Sequence, residues 1–500
     1  MKNLSKLEKC KEFWYLLFII CLFFFLRLPS LIEPYWYGDE GIYEVLGAGI
    51  SQGRILYTEI WDNKPPLLYI FYALVGADQF NIRLLSLLTG IATILSFFSL
   101  SQKLFKRTFT TLIVTTVFAI IFGLPIIEGN IANAENFMLL PILLSFSLFV
   151  SFFTQKKISY LNSKKLGYLF SGLLLGFAFL IKTVALFDFT AIIFIAIIAT
   201  FNEQLSIKRF LPQFRKISQE LLYLILGFVS PLLISLLYFL SVGALTQYID
   251  AIFLSTVGYV GFNNTFFIPQ GLLISKVILL ILFISILYVV RKKITFTYLF
   301  IFVWVGFSVF NSFFSHRPYT HYMIVLLPSL CLLLGLCLEE LKRKRLIAIG
   351  SFILILFLVL NFFNRWSYTK TVMYYPNFAL FVTNKKSLHD YQSFFDRRTP
   401  RDTEVALYVK NHLAKDAHVF YWGNSAQMYR LSNKLPPGRF TVAYHIKTNE
   451  NTLKETYDDL LRVNPEYIIV LPDMGAFPYP MYNYVHKLTI QDIEIYERIY

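Results

Sequence analysis

The sequence predicts an all-α polytopic membrane bundle of about eleven transmembrane helices, followed by a small α/β domain on the extracytoplasmic side. Three observations carry this. The 500-residue chain is 56% hydrophobic, against roughly 45–50% for a soluble chain. The excess falls in segments of about 20 residues, the length that spans a hydrocarbon core. Lys and Arg fall mostly in short clusters between those segments, and near Asn364 the composition changes abruptly.

Taken in order, the candidate helices run over 13–32, 83–102, 109–124, 137–153, 166–181, 186–201, 220–240, 271–290, 296–314, 323–338 and 346–363. The first follows Lys2, Lys6, Lys9 and Lys11. It resembles a signal sequence, but it is long and lacks a small-residue cleavage site, so it reads as a retained helix. The apolar segment 66–77 is expected as a short helix partly immersed in the interface. Cationic clusters at the N-terminus, Lys103/Lys106/Arg107, Lys156/Lys157/Lys164/Lys165, Lys208/Arg209/Arg215/Lys216, Arg291/Lys292/Lys293 and Lys342/Arg343/Lys344/Arg345 mark one side. The opposite loops hold Arg54, Lys64, Lys182 and Arg317. This bias places the N-terminus in the cytoplasm, and an odd number of helices places the tail outside. The expected division is a transmembrane catalytic domain over 1–363, with a first outer loop over 33–82, and an extracytoplasmic domain over 364–500. In the tail, Glu404–Ala414 and Thr452–Val463 have helical spacing, His418–Trp422 and Tyr467–Leu471 look like strands, and Asn464-Pro465 ends the second helix.

Composition also narrows the function. The net charge is +15, but its place between apolar segments is a topology signal rather than a nucleic-acid footprint. Cys10, Cys21, Cys331 and Cys337 form no disulfide framework or zinc spacing. No Gly-rich phosphate loop follows a strand. No internal repeat is visible, which counts against a transporter.

Chemistry concentrates in the first outer loop. Tyr35-Trp36-Tyr37-Gly38-Asp39-Glu40-Gly41-Ile42-Tyr43 puts two adjacent carboxylates among aromatic rings just past the first helix. A low local dielectric can raise a carboxyl pKa or strengthen its basicity toward an incoming hydroxyl. The alternative is that Asp39 caps a helix beginning at Glu40. The loop ends on Trp61-Asp62-Asn63-Lys64-Pro65-Pro66-Leu67. The prolines stiffen the backbone beside Lys64, whose cation would bind a lipid phosphate or contact bulk headgroups. Glu128 and Glu135 flank the loop after the third helix. Lys182 lies between two apolar segments and would either face a cavity or snorkel to the interface. In His316-Arg317-Pro318-Tyr319-Thr320-His321-Tyr322, the i,i+5 histidines suit no one-face helical pair. Arg317 reads as a phosphate or carboxylate partner, and His321-Tyr322 as cavity lining. Tyr421-Trp422-Gly423 would stack on glycan or form a buried strand end.

In this order and on these sides, the motifs resemble the GT-C class of membrane glycosyltransferases, over the whole chain. They are most similar to the bacterial branch related to protein O-mannosyltransferases and lipid A aminoarabinose transferases. Asp39-Glu40, Lys64-Pro65-Pro66-Leu67 and Arg83-Leu84-Leu85-Ser86 carry the resemblance. Gly176–Lys182, His321-Tyr322 with Pro328, and Tyr421-Trp422-Gly423 with Pro436–Arg439 support it. The resemblance implies inverting transfer of a sugar from a polyprenyl-phosphate donor to an acceptor hydroxyl at the outer face of a bacterial cytoplasmic membrane. Asp39 would be the base and Glu40 its neighbour, or the reverse. Lys64, Arg317 and Lys182 would bind the donor phosphate. Tyr37, Tyr43, Glu135, His321 and Tyr322 would line the cavity. No cofactor and no metal is expected. The acceptor would be a cell-envelope glycan, lipid or protein. Two rivals are a transporter or flippase of lipid-linked or small substrates, and a silent membrane scaffold whose tail binds a partner. A transporter does not explain why the carboxylates and cations gather at one membrane face, and in a scaffold Asp39 and Glu40 would be replaceable without consequence.

Overall fold

The computed structural model describes residues 2–154, 161–201, 207–255, 271–315, 319–339 and 365–499. Two compact units emerge. One comprises Met1–Leu28, Ser86–Leu237 and Thr256–Val372, the other Pro29–Leu85, Tyr238–Ser255 and Met373–Tyr500.

The first unit is helical. Each expected apolar helix through 323–338 is present: Lys2–Arg27, Gln79–Leu104, Thr108–Gly123, Ala134–Thr154, Leu161–Ile181, Leu186–Thr200, Ile207–Ser241, Gly271–Val290, Phe296–Ser312 and Met323–Glu339. The expected helix over 346–363 lies outside the described residues. Among the described residues, 8 helices are long and apolar enough to cross a membrane. Thr108–Gly123 and Phe296–Ser312 are apolar but shorter. At 1.5 Å per residue they reach about 25 Å, a little under a hydrocarbon thickness of about 30 Å. Small residues let backbones approach. A Cβ added at Gly172 would stand 2.0 Å from the Leu224 carbonyl oxygen, and one at Gly227 would stand 2.0 Å from that of Leu169. This reciprocal contact is the close crossing that glycine permits between apolar helices. Elsewhere aromatic stacking fills the interior, as between Phe146 and Trp304 at 4.3 Å.

The second unit holds the first outer loop and the tail. Its sheet has the order β1-β2-β4-β3, with β1 Val419–Trp422, β2 Tyr467–Val470, β3 Tyr484–Ile490 and β4 Ile493–Arg498. β1 and β2 are parallel, and β4 pairs antiparallel with both β2 and β3. A parallel pair needs a crossover, here supplied by Gln427–Leu431, Ala443–Ile446 and Glu450–Val463. The last helix starts at an Asn449/Thr452 capping box and stops at left-handed Asn464, where the sequence places its break. The tail core joins Phe420, Trp422, Phe440, Ala443, Ile446, Leu460, Ile468 and Val470, and Trp61 of the first outer loop packs against it. Trp422 is thus a buried strand end. The tail also holds the helices Arg365–Val382, Leu388–Phe395 and Thr399–His412.

Within the first outer loop, Gly38–Ser51 and Pro66–Leu74 are helices. The former starts before Glu40, its N-cap is Tyr37, and no side chain caps it. Asp39 is therefore not a capping residue. The loop is tied to the tail by Trp61 N–H donating to the Arg439 carbonyl at 2.9 Å. Arg54 likewise donates to the Pro436 carbonyl at 2.9 Å.

Candidate active site

The helix Gly38–Ser51 decides how the paired carboxylates are used. Consecutive helical positions point about 100° apart, so Asp39 and Glu40 cannot share one environment. Glu40 turns inward, 2% exposed. Arg83 grips it with two hydrogen bonds, Nε to Oε1 at 3.1 Å and Nη2 to Oε2 at 2.5 Å. The same guanidinium stands 3.0 Å from Glu33 and donates to the Ser30 carbonyl at 2.8 Å. Glu33 is further held by Trp36 Nε1 and by the Tyr374 hydroxyl. Asp39 is half-buried and among the described residues takes one hydrogen bond, from the Tyr43 hydroxyl at 3.2 Å.

Tyr43 links Asp39 to the loop's cation, because the Lys64 ammonium lies 4.9 Å from its ring centroid. The backbone of Lys64 is pinned. Its carbonyl accepts from Tyr57 at 2.7 Å, and its N–H donates to the Tyr69 oxygen at 3.2 Å. Tyr57 itself sits at φ 70, a left-handed conformation that is costly for an aromatic residue and marks a constrained loop. Pro65 then caps the helix Pro66–Leu74 in an extended conformation. The Lys64 side chain pairs with Asp62 at 3.4 Å and remains 20% exposed. Asp62 is buried, and accepts from Tyr69 at 2.8 Å and from Asn63 N–H at 2.8 Å. Burial alone would raise its pKa. Lys64 first, then His445 of the tail and these hydrogen bonds, outweigh that and hold the carboxyl below its usual value. Beyond Asp62 lies His445 of the tail, with Nε2 3.7 Å from Oδ1.

Glu44 lies one turn beyond Glu40, buried, and neither of its oxygens has a hydrogen-bond partner among the described residues. Burial first, and then Glu40, pushes its pKa well above the usual value, against Arg430 and Arg83.

A second polar cluster belongs to the helical unit. Glu135, in the first turn of Ala134–Thr154, is ion-paired with Lys182. Lys182 also faces the Tyr322 ring at 4.8 Å. His321 Nδ1 meets Glu128 Oε2 at 2.9 Å, and its Nε2 lies 3.8 Å from Glu135. Thr320 donates to Glu128 at 2.5 Å, and Tyr319 stacks on the imidazole.

Of the residues picked from sequence, Asp39, Tyr43 and Lys64 therefore come together. Glu135, Lys182, His321 and Tyr322 form their own group. Glu40 is built into the Arg83 network, and Tyr37 touches Trp36 edge-on. Arg317 lies outside the described residues. Sequence reasoning missed Asp62, Tyr69 and His445. Asp62 was signalled only by its place two residues before Lys64. His445 is a lone histidine with no motif around it.

Residues 64–234 match the family model described as dolichyl-phosphate-mannose-protein mannosyltransferase. No curated protein matches the sequence. Among solved structures, the chain resembles ArnT from Cupriavidus metallidurans bound to undecaprenyl phosphate. That match has a TM-score of 0.52 and 13% identity, over 96% of this chain and 97% of that one. The Archaeoglobus fulgidus oligosaccharyltransferase matches in its apo form with a TM-score of 0.49 and 12% identity, over 91% and 69%. Its complex with zinc and sulfate matches at 0.47 and 12%, over 91% and 67%. The ArnT-like fold across nearly the whole chain and the family match across 64–234 agree, and the chain is a membrane glycosyltransferase of the GT-C fold.

Proposed function

We propose that the protein moves a sugar, with inversion, from a polyprenyl-phosphate donor to an acceptor hydroxyl of a cell-envelope glycan, lipid or protein. It does so at the outer face of a bacterial cytoplasmic membrane, with its N-terminus inside. The observation that carries this reading is the Asp39–Tyr43–Lys64 arrangement. One tyrosine touches both groups: its hydroxyl donates to the half-buried Asp39 carboxylate and its ring lies under the partly exposed Lys64 ammonium, with Lys64 on a backbone fixed by Tyr57 and Tyr69. The likeness to ArnT, whose structure holds undecaprenyl phosphate, supports a polyprenyl-phosphate carrier.

In the reaction, the acceptor oxygen forms a bond to the anomeric carbon as the bond from that carbon to the phosphate oxygen breaks. The acceptor proton passes to Asp39, and the bonding pair leaves on the phosphate. Lys64 stabilises the charge that develops there, as pre-set cations do in transition states. Glu40 acts indirectly. Bound by Arg83, it fixes the first turn of the helix that presents Asp39. Lys182 is tied to Glu135, so it shapes the outer end of the helical unit. Its ammonium serves a phosphate only if that pair opens. Arg317 is a further phosphate cation under this reading. Tyr37 and Tyr43 line the site within the loop, while Glu135, His321 and Tyr322 are grouped with Lys182 within the helical unit.

The test supplies radiolabelled polyprenyl-phosphate sugars to membranes carrying wild type or Asp39→Asn, matched for expression, with crude envelope as acceptor. Wild type is expected to move label from one donor into another fraction, and Asp39→Asn to lose about 10²–10⁴-fold of that transfer. Equal transfer by both proteins would remove Asp39 as base. Absence of transfer from a panel covering the host's own lipid-linked sugars would remove the reaction.

A further inference from the structure

The tail delivers one side chain to the first outer loop that this mechanism leaves without a task. His445 stands on the short helix Ala443–Ile446 and is 7% exposed. Its backbone is anchored on both sides. Ala443 N–H donates to the Gly423 carbonyl at 2.8 Å, and Ala443 and Ile446 belong to the tail core. Trp61 packs edge-on against the imidazole at 4.9 Å. Nε2 faces Asp62, whereas Nδ1 is buried and has no hydrogen-bond partner among the described residues. Such an orphaned atom is costly, and a bound ligand can satisfy it.

The surroundings fix which kind of ligand atom fits. The charged groups facing the ring are Asp62, Lys64 and Asp39. Burial, with Lys64 adding to it, outweighs the two carboxylates and lowers the histidine pKa to about 4, so the ring is neutral under ordinary conditions. A neutral imidazole has one donor and one acceptor nitrogen. The Asp62 carboxylate can only accept, which favours the proton on Nε2 and leaves Nδ1 as an acceptor. A buried acceptor calls for an O–H or N–H donor. Phosphate oxygens accept and do not fit, but a sugar hydroxyl does. We propose that His445 is a substrate-binding residue, with Nδ1 accepting a hydrogen bond from a hydroxyl of the saccharide held at the Asp39–Lys64 site. This rests on the glycosyl-transfer reading above. The hydroxyl belongs to the donor sugar or to the acceptor, and the two sources are separable.

The experiment uses the full chain in lipid nanodiscs, with the donor that wild type transfers and with sugar-free undecaprenyl phosphate. His445→Phe keeps a flat ring without the acceptor, and His445→Asn restores an acceptor near the Nδ1 position. His445→Phe is expected to lower kcat/KM by about 10- to 100-fold, with His445→Asn within about fivefold of wild type. Binding of undecaprenyl phosphate should be unchanged in both. A rise in donor KM assigns the hydroxyl to the donor sugar, and a rise in acceptor KM assigns it to the acceptor. Full transfer by His445→Phe would overturn the inference alone. So would equal losses in both variants accompanied by weaker undecaprenyl phosphate binding and a lower unfolding midpoint, because the role would then be structural. A wild type that transfers no sugar would overturn the parent reading, and this inference with it.

Discussion

The two polar clusters contain the same kinds of residue and use them differently. In the helical unit, Lys182 closes on Glu135, and His321 and Thr320 close on Glu128. In the loop-and-tail unit, Arg83 closes on Glu33 and Glu40, but among the described residues Asp39 keeps only the Tyr43 hydroxyl. Lys64 stays partly exposed above a carboxylate that has other donors. An acid beside a cation is therefore not by itself a site. What separates structure from chemistry is whether the pair satisfies itself. A closed buried pair costs a great deal to break, whereas an open carboxylate can exchange a proton with substrate.

The largest effect is expected for Arg83→Met, which strands Glu33 and Glu40 in the interior and should destabilise the detergent-solubilised protein by about 3–5 kcal/mol. A near wild-type unfolding midpoint would mean that the network is not structural. Next comes Lys182→Met. It should lower the unfolding midpoint, and Glu135→Gln added to it should recover much of the loss, with a coupling of about 1–3 kcal/mol in a double-mutant cycle. Loss of transfer at unchanged stability would instead move Lys182 into the phosphate site. Lys64→Met should cost transfer about 10²-fold with a smaller stability change, since Asp62 keeps the Tyr69 and Asn63 hydrogen bonds. Removing the carboxylate from Glu44 should have the smallest effect, with a definite sign. Its folded pKa is raised, so the stability it supports is complete at acid pH and fades as pH rises through the folded value. Glu44→Gln should therefore raise the unfolding midpoint at pH 8 more than at pH 5. The reverse order would contradict a protonated, buried Glu44.

The helices were legible because hydrocarbon thickness imposes a long apolar run that needs no tertiary information. So were β1, β2 and the helix ending at Asn464, where short apolar runs and Asn-Pro punctuate the tail. The β3–β4 hairpin was not. Tyr484–Ile490 interleaves Lys487 and His486 with apolar residues and is largely exposed, so its strand character comes from pairing with β4. In the site, residue types in the first outer loop pointed to Asp39, Glu40 and Lys64. Their division of labour depends on helical phase, and the helix begins earlier than Glu40. The pairing of Lys182 with Glu135 and the approach of His445 to Asp62 join residues far apart in sequence. No local pattern encodes them.

Among the described residues, Asp39 is the open carboxylate and Glu40 the closed one. Asp39→Asn and Glu40→Gln, compared side by side for sugar transfer and thermal unfolding, test this division most directly. Asp39→Asn is expected to unfold like wild type and lose transfer, while Glu40→Gln is expected to lower the unfolding midpoint by weakening the Arg83 network and to retain transfer below that midpoint. An inactive Glu40→Gln of wild-type stability beside an active Asp39→Asn would contradict it.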